Sequence, residues 1–179
     1  HLVTIRTGQP QNKPRACNVG LFFATGEFLV IYDAEDTLDP DQLKKAYVAF
    51  RRGGDKTVCI QASLNYFNAD ENVLTRMFTL EYSYWFDYML AGLDAADLPI
   101  PLGGTSNHFR TSALNELGGW DPYNVTSDAD LGIRPHALCY RVGVVNSTTM
   151  DEANNLIPHF TLRPSRGTTA TLHSARVQA

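Results

Sequence analysis

The sequence predicts an α/β fold on three observations. The run Phe28, Leu29, Val30, Ile31, Tyr32 is apolar, follows Gly26 and stops at acids, which is the signature of a buried strand. Thr57 to Ala62 is β-branched and apolar enough to be a second buried strand. Between them Leu43, Ala46, Tyr47 and Phe50 recur at helical spacing. Strand, helix and strand in succession build a layered α/β domain. A chain of 179 residues, 44% hydrophobic and 19% charged, can bury the core of one such domain.

The elements follow in order. Residues 2–5 form a short strand, and residues 7–14, rich in Gly, Gln, Asn and Pro, form a loop. Residues 16–24 form a helix closed by Gly26 in a left-handed conformation. After the first long strand, Asp39 caps a helix that has Pro40 in its first position and ends at Gly53-Gly54. Residues 72–93 give the longest helix, with Leu74, Met77, Phe78, Trp85, Tyr88 and Met89 on one broad face. That face packs on the sheet, with contact to a membrane surface or a transmembrane partner as the second reading. Residues 94–101 loop back to an extended segment at 102–110 that contains Gly103-Gly104-Thr105-Ser106. A short helix at 112–117 stops at Gly118-Gly119, and Trp120-Asp121-Pro122-Tyr123 makes a rigid aromatic turn. Trp120 can stack on a sugar ring or plug the core. The next helix, capped by Ser127 or Asp128, holds Pro135 in its interior at a cost of about 3 kcal/mol, so it is kinked or shortened. Cys139 stands where a helix-ending glycine is expected, a penalty of about 1 kcal/mol if the site is left-handed. Residues 158–179 are polar and threonine-rich and have little reason to order.

Composition removes several classes of function. A net charge of −4 and a pI near 5.7 leave no broad basic surface, so nucleic acid is not an expected partner. No stretch of eighteen uncharged apolar residues exists to span a bilayer, and Glu81 and Asp87 interrupt the most aromatic helix. Cys17, Cys59 and Cys139 are odd in number and lack metal or redox spacing, which suits reduced thiols in a cytosolic setting. The first residue is His1, no signal peptide precedes it, and a fragment of a longer chain is expected.

Chemistry concentrates at residues 33–36. Asp33-Ala34-Glu35-Asp36 follows a strand, and ligands in open α/β sheets bind beyond the carboxyl ends of strands. In an extended segment Asp33 and Glu35 share one side and can serve one cation, with Asp36 as the fallback. Hard oxygen ligands suit Mg²⁺ or Mn²⁺, above all with phosphate oxygens completing the shell.

These acids, with Lys13 to Asn18, Gly103 to Asn107, and Gly118-Gly119-Trp120 followed by Thr126-Ser127-Asp128-Ala129-Asp130, come in an order that resembles the inverting family 2 glycosyltransferases. The likeness is to the bacterial cellulose-synthase-like polysaccharide synthases, over roughly residues 8–155 by motif order. It implies a GT-A type, Rossmann-like nucleotide-diphospho-sugar transferase domain, truncated at both ends, over residues 1–157. It implies Asp128 as general base, in a Thr-Glu-Asp motif whose middle residue is Ser127 here. Asp33, Glu35 and Asp36 would hold the metal. Lys13, Asn18, Gly104, Thr105, Trp120 and Asp130 would face donor or acceptor, and Arg166 would be the remnant of a Gln-x-x-Arg-Trp motif. The donor would be a UDP-sugar or another nucleoside-diphosphate sugar, and the acceptor a growing glycan. The parent would sit at the cytoplasmic face of the inner or plasma membrane, held by transmembrane helices absent from this soluble fragment. With Pro135 present and the tail motif degraded, the isolated chain is expected to transfer little. The alternative is a non-catalytic remnant that acts as a binding or interaction module. A metal-dependent hydrolase is less favoured because no second acid and base pair is apparent.

Overall fold

The structure, a computed structural model, describes residues 3–153. Arg166 and the polar tail at 158–179 lie outside the described residues. Five strands form one mixed sheet: β1 Phe28–Ile31, β2 Thr37–Leu38, β3 Thr57–Tyr66, β4 Asn107–Arg110 and β5 Arg141–Asp151, in the order β1-β4-β3-β5-β2. β4 runs antiparallel to both β1 and β3, β5 is parallel to β3, and β2 is antiparallel to β5.

Helices cover both faces, because successive side chains on a strand point to opposite sides. From β3, Cys59 joins a core with Leu21, Leu90, Leu114, Trp120 and Leu131, while the adjacent Ile60 packs with Ala46 and Phe50. The first core is supplied by α1 Lys13–Phe22, α4 Leu90–Ala95, α5 Thr111–Glu116 and α6 Ser127–Ala137. The second is covered by α2 Gln42–Gly53. α6 crosses the segment before β4 closely: a β-carbon at Gly132 would stand 2.2 Å from the Ile100 carbonyl oxygen.

Several elements differ from the expected ones. Residues 3–5 are not a strand, and β1 is half-buried at the sheet edge rather than covered on both faces. α1 starts at Lys13, three residues early, because the Asn12 side chain accepts from Arg15 N–H and Pro14 suits the first turn. It ends through Phe23 in right-handed geometry, without a left-handed Gly26. Asp39 lies one turn ahead of α2, holding the Asp41 N–H, Lys45 and Ser147, and its pKa falls to about 2, Lys45 being the main cause. The long helix is α3 Val73–Ser83, a π-helical turn over Tyr84–Met89, then α4. Along this composite helix Phe78, Phe86 and Leu90 are buried while Met77, Leu80, Tyr84 and Tyr88 are exposed. Neither Ser127 nor Asp128 caps α6; Thr126 is its N-cap, without a side-chain bond, and Asp128 lies in the first turn. β2 and β5 had no counterpart in the sequence reading. The Val and Thr of 142–149 carried the signal for β5.

α6 holds its length to two residues past Pro135, so it is short. Its end is built by Cys139 at φ 57°, with Cys139 N–H on His136 O and Tyr140 N–H on Pro135 O, each 3.0 Å. That pair of bonds is the Schellman arrangement, and Cys139 fills the left-handed place normally given to glycine.

Candidate active site

Three segments converge at the strand ends. The first is the acidic turn. The chain leaves β1 at Ile31 and folds back, with Asp36 N–H donating to Asp33 O at 3.2 Å, so residues 33–36 form a turn. This removes the extended geometry that paired Asp33 with Glu35, and Glu35 is exposed. Asp36 turns inward instead: its Oδ2 accepts from Asp33 N–H at 2.8 Å and from the Thr105 hydroxyl, whereas its Oδ1 is buried without a partner.

The glycine loop is the second segment. From β3, buried Gln61 accepts from Gly103 N–H at 2.8 Å and donates to Thr105 O at 3.1 Å, and Asn107 donates to Gly103 O at 2.7 Å. Thr105, 5% exposed, is spent on the acidic turn, since its hydroxyl also accepts from Asp33 N–H at 3.2 Å. Lys13, from the first turn of α1, joins the two segments through an ion pair with Asp33 and a 2.7 Å bond to Gly104 O.

The third segment carries Asp128. Trp120 is 3% exposed and donates its indole N–H to Asp128 Oδ1 at 3.0 Å, with its ring edge against Phe109. The core reading of Trp120 therefore holds, and its ring has no free face for a sugar. Asn18 clasps the Trp120 backbone from both sides, donating to Trp120 O at 2.7 Å and accepting from Trp120 N–H at 2.9 Å. Asp130 forms an ion pair with Arg134 at 2.8 Å, and Arg134 donates to Leu117 O and Gly119 O at 2.7 Å each. Asn18 and Asp130 thus brace the Gly118-Gly119 turn, where both glycines have positive φ and a β-carbon at Gly119 would strike Asn18 Oδ1.

Burial pushes the Asp128 carboxyl up to about 6; the Trp120 bond and Lys13 pull it down, and Asp33 pushes it up. A carboxyl tuned to that range takes up and releases protons near neutral pH. Its Oδ2 lies below Gly104, 3.7 Å from where a β-carbon would stand.

Sequence reasoning missed Asp151. It ends β5 one step beyond the pair Thr37 and Met150, beside the acidic turn. Burial raises its pKa, as do Asp36, Glu35 and Asp33 nearby. The apolar-run rule that singled out Asp33 does not find it, because Asn146, Ser147, Thr148 and Thr149 precede it; the β-branched Val and Thr of 142–149 ending in an acid are its signal. Among the described residues no three His, Cys, Asp or Glu side chains converge on one point. Mg²⁺ or Mn²⁺ fits the turn all the same, because such ions bind through one or two carboxylates plus substrate phosphates, and Asp36 Oδ1 is buried and unspent.

A mixed sheet with helices on both faces and acids at a strand end is the architecture of a GT-A type α/β domain. The family profile for glycosyl transferase family group 2 matches residues 28–165, and the chain belongs to that family. Glucomannan 4-beta-mannosyltransferase 1 of Oryza sativa subsp. japonica is 32% identical over 108 residues, 60% of this chain and 20% of that protein. Probable glucomannan 4-beta-mannosyltransferase 10 of Arabidopsis thaliana is 25% identical over 146 residues, 82% of this chain and 25% of its own. The chain thus spans a fifth to a quarter of the length of these relatives. Among solved structures, mannosyltransferase PcManGT from Pyrobaculum calidifontis, in complex with GDP-Man and Mn²⁺, superposes with a TM-score of 0.69 at 17% identity, over 94% of this chain and 44% of that one. Mannosyl-3-phosphoglycerate synthase from Rubrobacter xylanophilus gives 0.54 at 12% identity, over 96% and 53%. The family 2 glycosyltransferase membership is the one the motif order implied. No described helix is long and apolar enough to cross a membrane.

Proposed function

We propose that the chain carries the catalytic centre of an inverting polysaccharide glycosyltransferase, which moves a sugar from a nucleoside diphosphate to a growing glycan. The observation that carries this reading is Asp128: a half-buried carboxylate, tuned to about 6, fixed by an indole and facing the acidic turn across Lys13. In the step, an acceptor hydroxyl oxygen bonds to the anomeric carbon as the bond from that carbon to the diphosphate oxygen breaks. The diphosphate leaves with the electron pair, and the hydroxyl proton passes to Asp128. An α-linked donor giving a β-linked product requires one such displacement and one base.

Lys13, released from Asp33, is placed to contact the diphosphate. Asp33 and Asp36 would hold Mg²⁺ or Mn²⁺, which would offset charge gathering on the leaving group. Glu35, exposed on the same turn, is a secondary ligand candidate, and Gly104 lies on the acceptor side. The curated relatives are named mannosyltransferases, which makes GDP-mannose the first donor to test, ahead of the UDP-sugar that the resemblance suggested. The parent protein is proposed to be membrane-associated.

The test is calorimetry with GDP, GDP-mannose and UDP, with and without Mn²⁺, followed by transfer from labelled donor by this chain and by a chain extended with an opening strand and a Gln-x-x-Arg-Trp segment, the latter with and without Asp128→Asn. We expect Mn²⁺ to tighten nucleotide binding, Asp33→Ala to remove that gain, and Asp128→Asn to bind donor normally while transfer falls by at least about a hundredfold. Equal nucleotide affinity with and without Mn²⁺ removes the metal assignment, and donor binding with no transfer from any donor favours the binding-module alternative.

A further inference from the structure

The two oxygens of Asp128 stand in different surroundings. Oδ1 takes the indole N–H of Trp120 at 3.0 Å, and Oδ2 lies below Gly104 with 3.7 Å to the place of an absent β-carbon. Nothing in the sequence reading gave Trp120 a role toward Asp128. We infer that Trp120 is a positioning residue that occupies Oδ1, so that Oδ2, under the side-chain-free face of Gly104, is the oxygen that takes the acceptor proton. This rests on Asp128 as the base.

Three facts argue for positioning rather than filling. Trp120 lies in the core, where phenylalanine would pack against Phe109 as well, yet its one polar atom is spent on the carboxylate. Its backbone is fixed twice by Asn18, and the preceding glycine's carbonyl is fixed by Arg134, so the indole has little freedom to follow a moving carboxylate. An indole nitrogen also only donates, and the hydroxyl oxygen of a carboxylic acid is a poorer acceptor than its carbonyl oxygen, so the contact favours an Oδ1 that stays unprotonated. The proton arriving in the reaction is thereby directed to Oδ2. Gly104 has no positive φ to explain the absence of a side chain, and its carbonyl is tied to Lys13. The groups facing Asp128 are Lys13 and Cys17 from α1 and Asp33 from the acidic turn.

The experiment follows Asp128 directly, by ¹³C carboxyl NMR titration of the chain. In Trp120→Phe the Asp128 midpoint should rise by roughly half to one unit, because a hydrogen bond to the charged form has been lost. In the wild type the Trp120 indole N–H resonance should titrate with the Asp128 midpoint and lose that titration in Asp128→Asn, with Trp85→Phe to assign it; this reading survives if Trp120→Phe does not fold. An unmoved midpoint, or an indole signal blind to Asp128, overturns the positioning role. For the oxygen assignment, Gly104→Ala sets a methyl over Oδ2. Acceptor-dependent transfer should fall at least tenfold while donor affinity and the coupling of indole to carboxylate persist; full transfer overturns Oδ2. If Asp128→Asn keeps transfer while the indole coupling is seen, the base reading has failed and the positioning contact has not.

Discussion

A carboxylate that is ionised while half-buried works against the fold that holds it. Asp128 is raised from 3.8 to about 6, so the native state binds its proton more tightly than the unfolded chain does. The penalty is absent below about pH 4, grows as pH rises through the interval to about 6, and is complete above it, at up to about 3 kcal/mol. Asp128→Asn, whose amide oxygen can still accept from Trp120, should therefore raise unfolding stability at pH 7.5 and leave it nearly unchanged at pH 4. Urea denaturation at the two pH values measures this, and equal effects at both would contradict the burial argument. Cys139 is a second residue held at a cost. At φ 57° a side chain is strained, so Cys139→Gly should stabilise the chain by about 1 kcal/mol, read in the same urea experiment. Cys139 was visible in sequence as a departure from pattern, and Asp128 as the acid that the Thr-Glu-Asp resemblance keeps. What hid the role of Trp120 is that a tryptophan beside two glycines looks the same whether it plugs a core or bonds to an acid eight residues on.

Elements with a clear period were read well, and those set by tertiary contact were not. α2 and β3 have apolar patterns that decide them, and the structure keeps them. The helix after residue 72 was legible in extent, but the π-helical turn at Tyr84–Met89 leaves no mark in spacing, and Met77 and Tyr88, expected on the packed face, are exposed. The acidic turn is the same kind of case, since alternation suggests a strand continuing through Glu35. The bonds that fold it back come from Thr105, some seventy residues away. At this scale a tight joint is the crossing of α6 over residues 100–102. Gly132→Ala would press a methyl onto the Ile100 carbonyl and should cost about 1–3 kcal/mol while shifting α6, and with it Asp128. A loss of stability in urea together with a displaced Asp128 titration is the expected pair of results; a stable variant would mean that the crossing yields.

Across the whole molecule the sheet is a bracket between two cores, and the site lies where α1, the acidic turn, the glycine loop and α6 meet. Only long-range contacts assemble it, so sequence named most of its members and none of its bonds. Lys13 is the clearest example. It was expected on a loop beside the nucleotide, and it lies on a helix with its ammonium between Asp33 and the Gly104 carbonyl. The domain therefore carries an internal counter-ion in the place where a divalent ion would have to act. On the proposed metal assignment, loading would be an exchange of cations rather than an addition, and the departing ammonium would let go of the glycine loop in the same event. Lys13→Met should bind Mn²⁺ alone about twofold to fivefold more tightly, the worth of a partly exposed ion pair. Paramagnetic relaxation or electron spin resonance titration reads that affinity without nucleotide. Weaker or equal binding would show that the lysine is no competitor, whereas tighter binding would make α1 a latch that the ion itself opens.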